Sequence, residues 1–169
     1  MKKVLMIAHQ FPPIGGSGVQ RTVKFVKYLP MYGWEGIVLT RDAKKAQLKD
    51  NTLLNEIPEN TRIYRTAAWD FSELPFPFNL AGKYVRRRIL IPDGERLWEI
   101  FSYRKALDIV REEKIDMIYS TSQPFSTHLL AMKLKEAFPG IPWVSDFRDE
   151  WTNNAFVRAY NYRPYRIKI

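Results

Sequence analysis

Three glycines within the segment FPPIGGSGVQR, residues 11–21, could let a ligand reach the backbone. Gly15, Gly16 and Ser17 lie between a predicted strand and a predicted helix, where backbone N–H groups can bind an anion. Arg21 stands where the dinucleotide fingerprint G-x-G-x-x-G has its third glycine, and the Gly-Lys-Ser/Thr signature of a P-loop is absent. The pattern therefore predicts a ligand-binding loop that is neither a dinucleotide fingerprint nor a P-loop. A plain turn is the alternative.

A second group of reactive side chains is the segment DFRDEW, residues 146–151. Arg148 can bind a phosphate with paired hydrogen bonds, and a carboxylate such as Asp146 can bind sugar hydroxyls or act as a base. We therefore predict that Asp146 and Arg148 bind substrate, together with Ser122 in the polar segment YSTSQPFSTH. The sequence identifies no catalytic residue, and Arg148 and Asp149 are the candidates. A surface cluster of paired charges is the alternative.

The chain is basic, with 27 lysines and arginines, 18 aspartates and glutamates, and a formal net charge of +9. Such an excess predicts attraction to an anionic partner. We predict that two basic groups contact anionic lipid or a lipid-linked acceptor, namely Arg21, Lys24 and Lys27 on the first helix, and Arg86, Arg87 and Arg88 within KYVRRR. A solvated basic surface is the alternative for both groups.

Several classes of site are excluded by composition. The chain has no cysteine and only two histidines, His9 and His128, so disulfides and thiolate metal sites are excluded and a histidine cluster is disfavoured. We expect no metal and no cofactor. No apolar run approaches the roughly 18 to 20 residues of a membrane span. We expect a cytoplasmic location, peripheral to the inner face of the plasma membrane if the basic residues bind lipid.

Strands and helices alternate along the chain. Apolar runs predict strands at 3–9, 36–40, 62–66, 115–122 and 140–147. Helical patterns predict helices at 18–32 with Ser17 as its cap, near 80–90, at 96–114, and at 124–138 with a serine or glutamine cap before Pro124. This alternation predicts an α/β fold with a parallel sheet and helices on both faces. Ligands of such sheets bind beyond the carboxyl ends of the strands, which here are polar.

The chain resembles the N-terminal domain of family 4 glycosyltransferases with the GT-B fold, of the type that builds bacterial surface polysaccharides. The resemblance covers the first forty residues and about 115–151. It rests on the pairing of a PP-x-GG loop after the first strand with a DFRD-x-W segment at a strand end. Many relatives carry histidine where this chain has Arg148.

The resemblance implies one half of a GT-B fold, a single Rossmann-like domain over residues 1–169 that receives the acceptor. The donor domain, and its pair of glutamates, would lie outside this chain. The implied activity is retaining transfer of a sugar from a nucleotide sugar to a glycan or lipid-linked acceptor, without a metal. The loop at Gly15 and Gly16 would approach the donor diphosphate or the reacting sugar. We expect the chain to be inactive alone.

Two other classes of function stay open. One is a non-catalytic basic module that binds a membrane or nucleic acid, although no RNA-binding or helix-turn-helix signature is present and we expect no nucleic acid. The other is a dinucleotide-dependent or epimerase-like enzyme that acts on sugar nucleotides. Asp42, near the end of the second strand, is the acidic residue that a dinucleotide site would require, so this hypothesis is retained.

Overall fold

One five-stranded sheet forms the centre of the computed structural model, which describes residues 1–44, 46–69, 75 and 78–151, without the side chains of 83 and 86–88. The strands are β1 (Lys2–Ile7), β2 (Trp34–Arg41), β3 (Ile63–Thr66), β4 (Met117–Thr121) and β5 (Trp143–Asp146). They pair in the order β3-β2-β1-β4-β5, and each neighbouring pair is parallel. The predicted parallel sheet is therefore confirmed.

Strand β1 lies at the centre of the sheet because both of its faces are apolar. Leu5 and Ile7 belong to the core on one face, and Val4 and Met6 belong to the core on the other. None of these four side chains is more than 4% exposed. A strand that is buried on both faces has a continuous run of apolar residues in its sequence. The run at 3–9 predicted strand β1 for this reason.

Helices cover both faces of the sheet, as predicted. They are α1 (Ser17–Tyr28), α2 (Phe78–Arg88), α3 (Arg96–Glu113) and α4 (Ser126–Ala137), with short 3-10 helices at Leu29–Tyr32 and Thr52–Glu56. Helices α3 and α4 pack on the Leu5 face through side chains that include Trp98 and Leu130. Helix α1 packs on the opposite face through Val19 and Val23.

Helix α1 differs from its predicted bounds at both ends. The prediction that Ser17 caps it is wrong, because Gly16 is the N-cap and Ser17 is already helical. The α-helix ends at Tyr28, earlier than predicted, because Pro30 lacks the N–H group that would extend the hydrogen-bond ladder. A 3-10 helix continues the chain to Gly33, whose φ of 78° ends it.

Helix α4 receives its cap from a residue far away in sequence. The Asp93 carboxylate accepts hydrogen bonds from the backbone N–H of Ser126, at 3.0 Å, and from its hydroxyl, at 2.6 Å. The predicted serine or glutamine cap before Pro124 is therefore wrong, and the helix begins after this proline, at Ser126. This bond fixes the loop before α3 to the first turn of α4.

Helix α2 confirms the short helix predicted near 80–90 and exposes apolar side chains. Phe78, Leu80 and Tyr84 are each more than half exposed, as is Ile89 just after the helix. The side chains of Arg86, Arg87 and Arg88 lie outside the described part of the chain. No helix within 1–44, 46–69 and 78–151 is long and apolar enough to cross a bilayer.

We predict that Leu130→Ala lowers the free energy of unfolding by about 2–5 kcal/mol, because Leu130 is fully buried between α4 and the sheet. Urea denaturation followed by circular dichroism measures this change. Met132→Ala on the same helix is the control, since Met132 is 41% exposed. Equal losses from the two variants would contradict the assigned core.

Candidate functional site

A cleft of about 440 Å³ lies at the carboxyl end of the sheet, around the ends of β1, β4 and β5. Its walls come from the loop after β1, the start of α1, the loop after β4 and the segment after β5. The lining residues are Gln10, Ser17, Gly18, Arg21, Gln123, Arg148 and Asp149. Ligands of parallel α/β sheets bind at this edge. None of the described residues that line the cleft has an apolar side chain, so the cleft suits an anionic or hydroxylated ligand.

The three glycines of the loop have different surroundings. Gly15 is buried, its N–H donates to the carbonyl of Leu48 at 3.1 Å, and an added Cβ would lie 3.1 Å from the Leu48 side chain. Gly16 has a φ of 121°, which other residues rarely adopt, and the space beside it is open. Gly18 lies against the Arg148 guanidinium. Gly16 is thus accessible from solvent, whereas Gly15 and Gly18 face other parts of the chain.

Backbone carbonyl oxygens hold the guanidinium of Arg148. It donates to the carbonyls of Gly18, at 2.8 Å, of Gln123, at 3.4 Å, and of Ser122. Burial is the main cause that lowers the pKa of Arg148, and the nearby charge of Arg21 lowers it further. Arginine carries five N–H donors, so two remain without a partner in the described part of the chain.

The carboxylate of Asp146 joins α1 to strands β4 and β5. Arg21 donates to both of its oxygens, at 2.8 and 2.9 Å, while Tyr119 donates at 2.6 Å and Thr121 at 3.1 Å. Burial alone would raise the pKa of Asp146, but hydrogen bonds from Tyr119, Arg21 and Thr121 lower it. Burial and the bond to Asp146 raise the pKa of Tyr119. Asp146 is therefore ionised at neutral pH and orients Arg21.

The cationic face predicted on α1 divides between two acidic partners. Arg21 pairs with Asp146 at the cleft, whereas Lys24 and Lys27 both contact Glu56, the latter at 3.0 Å. The hydrogen bond to Glu56 raises the pKa of Lys27, and the bonds from both lysines lower the pKa of Glu56. The chain itself compensates these charges, and contact of this face with anionic lipid stays a prediction.

The structure brings some of the predicted binding residues to the cleft and leaves others outside its lining. Ser17, Arg148 and Asp149 line it. Ser122 is fully buried, and its hydroxyl accepts the Arg148 backbone N–H at 3.3 Å. Its own backbone N–H donates to the Asp146 carbonyl at 3.1 Å. Ser122 thus fastens the end of β4 to the end of β5, and its role in substrate binding stays a prediction.

Two lining residues, Gln10 and Gly18, were absent from the predicted binding residues. Gln123 lies in the segment YSTSQPFSTH, whose amide the sequence indicated, and Gln10 follows β1, so a polar strand end is the signal for both glutamines. Gln123 donates to Asp149 through its side-chain amide at 3.4 Å. The sequence places Gly18 only in the glycine loop, because its contact with Arg148 spans 130 positions of sequence.

Histidine 128 lies near the cleft but is packed rather than exposed. His128 is 2% exposed, its ring lies tilted against that of Phe147 with 4.3 Å between the ring centroids, and its Nδ1 lies 2.8 Å from the Ser120 hydroxyl. Trp143 donates to the same hydroxyl at 2.8 Å. Burial lowers the pKa of His128 to about 4. Among the described residues, no group of three or more histidines and acids could hold a metal ion.

Comparison with solved structures gives three similar glycosyltransferases, each with a TM-score of 0.51. SsfS6 of Streptomyces sp. SF2575 is 17% identical, UGT2 of Phytolacca americana 18%, and MurG of Acinetobacter baumannii 16%. The fold is one that glycosyltransferases use. The structure therefore confirms the predicted class, a Rossmann-like α/β sheet of the kind that forms half of a GT-B fold.

The likeness covers most of this chain and a smaller part of each neighbour. It covers 87% of the chain for SsfS6 and UGT2 and 88% for MurG. The chain spans 39% of SsfS6, 36% of MurG and 29% of UGT2. No protein-family model matches the chain, and no curated protein sequence matches it. Identities of 16 to 18% show a shared fold and leave the substrate to be inferred from the cleft.

We predict that Asp146→Asn lowers the free energy of unfolding by about 1–3 kcal/mol at pH 7, because it weakens the bonds that three side chains donate to a charged acceptor. The folded-state pKa of Asp146 lies below its ordinary value. Its stabilisation is therefore present above the ordinary value and is lost as pH falls through the folded-state pKa.

Urea denaturation from pH 7 to pH 2.5 measures the difference between wild type and variant. The difference should be constant near neutral pH and shrink as pH falls below about 4. Asp108→Asn on α3 is the control for the loss of a carboxylate away from the cleft. A difference that does not change with pH would contradict an ionised Asp146.

We predict that His128 titrates with a midpoint near pH 4 in the folded protein, because burial lowers its pKa to about that value. The unfolded chain binds a proton near pH 6.5, so stability falls as pH drops from about 6.5 to 4. The ring carbon chemical shifts measured by NMR report the midpoint. A midpoint at or above pH 6 would show that the ring is solvated.

Proposed function

We propose that this chain is the N-terminal, acceptor-side domain of a retaining glycosyltransferase that uses a nucleotide-sugar donor. The observation that carries the proposal is the polar cleft with Arg148 at the carboxyl end of a sheet of the glycosyltransferase type. SsfS6 has been solved with thymidine diphosphate, and UGT2 with UDP-2-fluoroglucose and pterostilbene. These ligands support a nucleotide sugar as the donor here.

A second domain would complete the active site. This chain spans 29 to 39% of the three similar structures, which is consistent with one of two domains. In the proposed arrangement the acceptor rests against the cleft of this domain, and the other domain holds most of the donor. The open space beside Gly16 then admits the donor diphosphate or the reacting sugar.

Electrostatic stabilisation of the leaving group is the proposed source of catalysis. Two N–H groups of Arg148 lack a partner in the described residues, and the guanidinium is already oriented by three carbonyls. Such a preorganised donor stabilises the charge that develops on a leaving diphosphate. No metal or other cofactor enters this proposal. Asp149, on the same wall, would accept hydrogen bonds from sugar hydroxyls.

The family and the acceptor are finer parts of the proposal. The PP-x-GG loop and the DFRD-x-W segment support family 4 and a role in surface polysaccharide synthesis. The acceptor would be a glycan or a lipid-linked sugar at the cytoplasmic face of the membrane. Helix α2 supports peripheral binding there, because its exposed Phe78, Leu80 and Tyr84 accompany three arginines in sequence.

The other two classes of function have less support. A basic binding module would need unpaired cations, yet Arg21, Lys24 and Lys27 all pair with acids of the chain. For an epimerase-like or dinucleotide-dependent enzyme, the glycine loop departs from the dinucleotide fingerprint, because Arg21 stands where its third glycine would be. The transferase is therefore the better account of the fold and cleft together.

We predict that Ser17→Trp in the full-length gene product lowers kcat/KM for sugar transfer at least tenfold, because the indole would fill the cleft that Ser17 lines. A panel of UDP- and dTDP-sugars with lipid-linked acceptors measures transfer, and NMR of the product reports the anomeric configuration. Gln20→Trp on the exposed side of α1 is the matched control. Unchanged transfer by Ser17→Trp, or inverted products, would contradict the proposal.

A further inference from the structure

Gly18 lies inside helix α1, and its backbone conformation does not require glycine. It is the second residue of α1, and unlike Gly16 and Gly33 it does not adopt a positive φ. Glycine disfavours a helix relative to alanine. The space beside Gly18 gives the reason: an added Cβ would overlap Nη1 of Arg148 and lie 3.1 Å from Nη2 and 3.2 Å from Cζ.

The guanidinium that occupies this space keeps its charge available. Arg21, in the same cleft, faces both oxygens of Asp146, so a carboxylate compensates it. Arg148 is bonded instead to the carbonyls of Gly18, Ser122 and Gln123, which orient the group without cancelling its charge. Within the described residues, the salt bridge of Asp146 is to Arg21, and Asp146 and Asp149 act on Arg148 only through their charges, without a hydrogen bond to its guanidinium.

We infer that Gly18 is a positioning residue that acts through Arg148. The missing side chain lets the guanidinium lie on the first turn of α1, where its two remaining N–H groups bind an anionic phosphate of the substrate. This inference rests on the proposed function, because the phosphate belongs to a substrate of that transferase. It assigns to Gly18 a role in ligand affinity that is separate from the flexibility of the glycine loop.

The test compares Gly18→Ala, Arg148→Gln and the double variant in the full-length gene product. Isothermal titration calorimetry with inorganic pyrophosphate measures affinity. We expect each single variant to weaken binding about tenfold or more, because a charge-assisted hydrogen bond is lost or displaced. The double variant should be no weaker than Arg148→Gln alone, since both changes remove the same contact. Gln20→Ala, also on α1, should bind as wild type does.

A thermal melt separates this role from a merely structural one. The new Cβ displaces the guanidinium from its carbonyl partners, while alanine favours a helix, so Gly18→Ala should melt no lower than Arg148→Gln, which loses the same bonds. Arg148→Lys is the second variant, and it keeps the charge but lacks the planar fork whose five N–H donors reach three carbonyls and leave two for a ligand. We expect its pyrophosphate affinity to fall between those of wild type and Arg148→Gln.

Three results would overturn the inference. They are wild-type affinity in Gly18→Ala, wild-type affinity in Arg148→Gln, or a double variant whose loss equals the product of the two single losses. Titration with UDP and with farnesyl phosphate identifies whether a donor or an acceptor supplies the phosphate. If pyrophosphate binds as expected but no nucleotide sugar is transferred, the proposed function fails and the inference stands. If the wild type transfers a sugar but Arg148→Gln binds pyrophosphate as tightly as the wild type does, the inference fails and the proposed function stands.

Discussion

All five strands run in the same direction, so their carboxyl ends must meet at one edge of the sheet. This constraint brings together residues that are far apart in sequence, such as Arg21 and Asp146, which are separated by 125 positions. The direction of the strands follows from helices that return the chain across the two faces, and buried apolar side chains on both sides of β1 hold these helices in place. The geometry of the cleft is thus a consequence of the core beneath it.

Two arginines of the cleft show how the same side chain can take different electrostatic roles. Arg21 forms an ion pair with Asp146, and that carboxylate is also bonded to Tyr119, so the group acts as a brace between α1 and two strands. Carbonyl oxygens hold Arg148. A carbonyl group carries no net charge, so it orients the guanidinium without neutralising its positive charge. Arg148 and Asp149 then present opposite charges side by side, which suits a ligand that carries both phosphate and hydroxyl groups.

Local patterns in the sequence were sufficient for the fold and insufficient for the site. The apolar run of β1 and the helical period of α3 arise from burial of each element, so both were predictable from neighbouring residues. The cap that Asp93 supplies to α4 and the bond from Arg148 to Gly18 join distant segments, and no local pattern reveals them. Ser17 misled the prediction because a serine at a helix start is typical of a cap, whereas Gly16 takes that place here.

The contact between Gly18 and Arg148 also bears on how this cleft can change during evolution. The guanidinium and a Cβ at position 18 compete for one volume, so the two positions cannot vary independently. A lineage that acquires a side chain at 18 must shorten or redirect the residue at 148, and a histidine or other compact side chain at 148 removes the demand for glycine. Paired substitution at positions 18 and 148 would change the charge of the cleft and leave the sheet and its core unchanged.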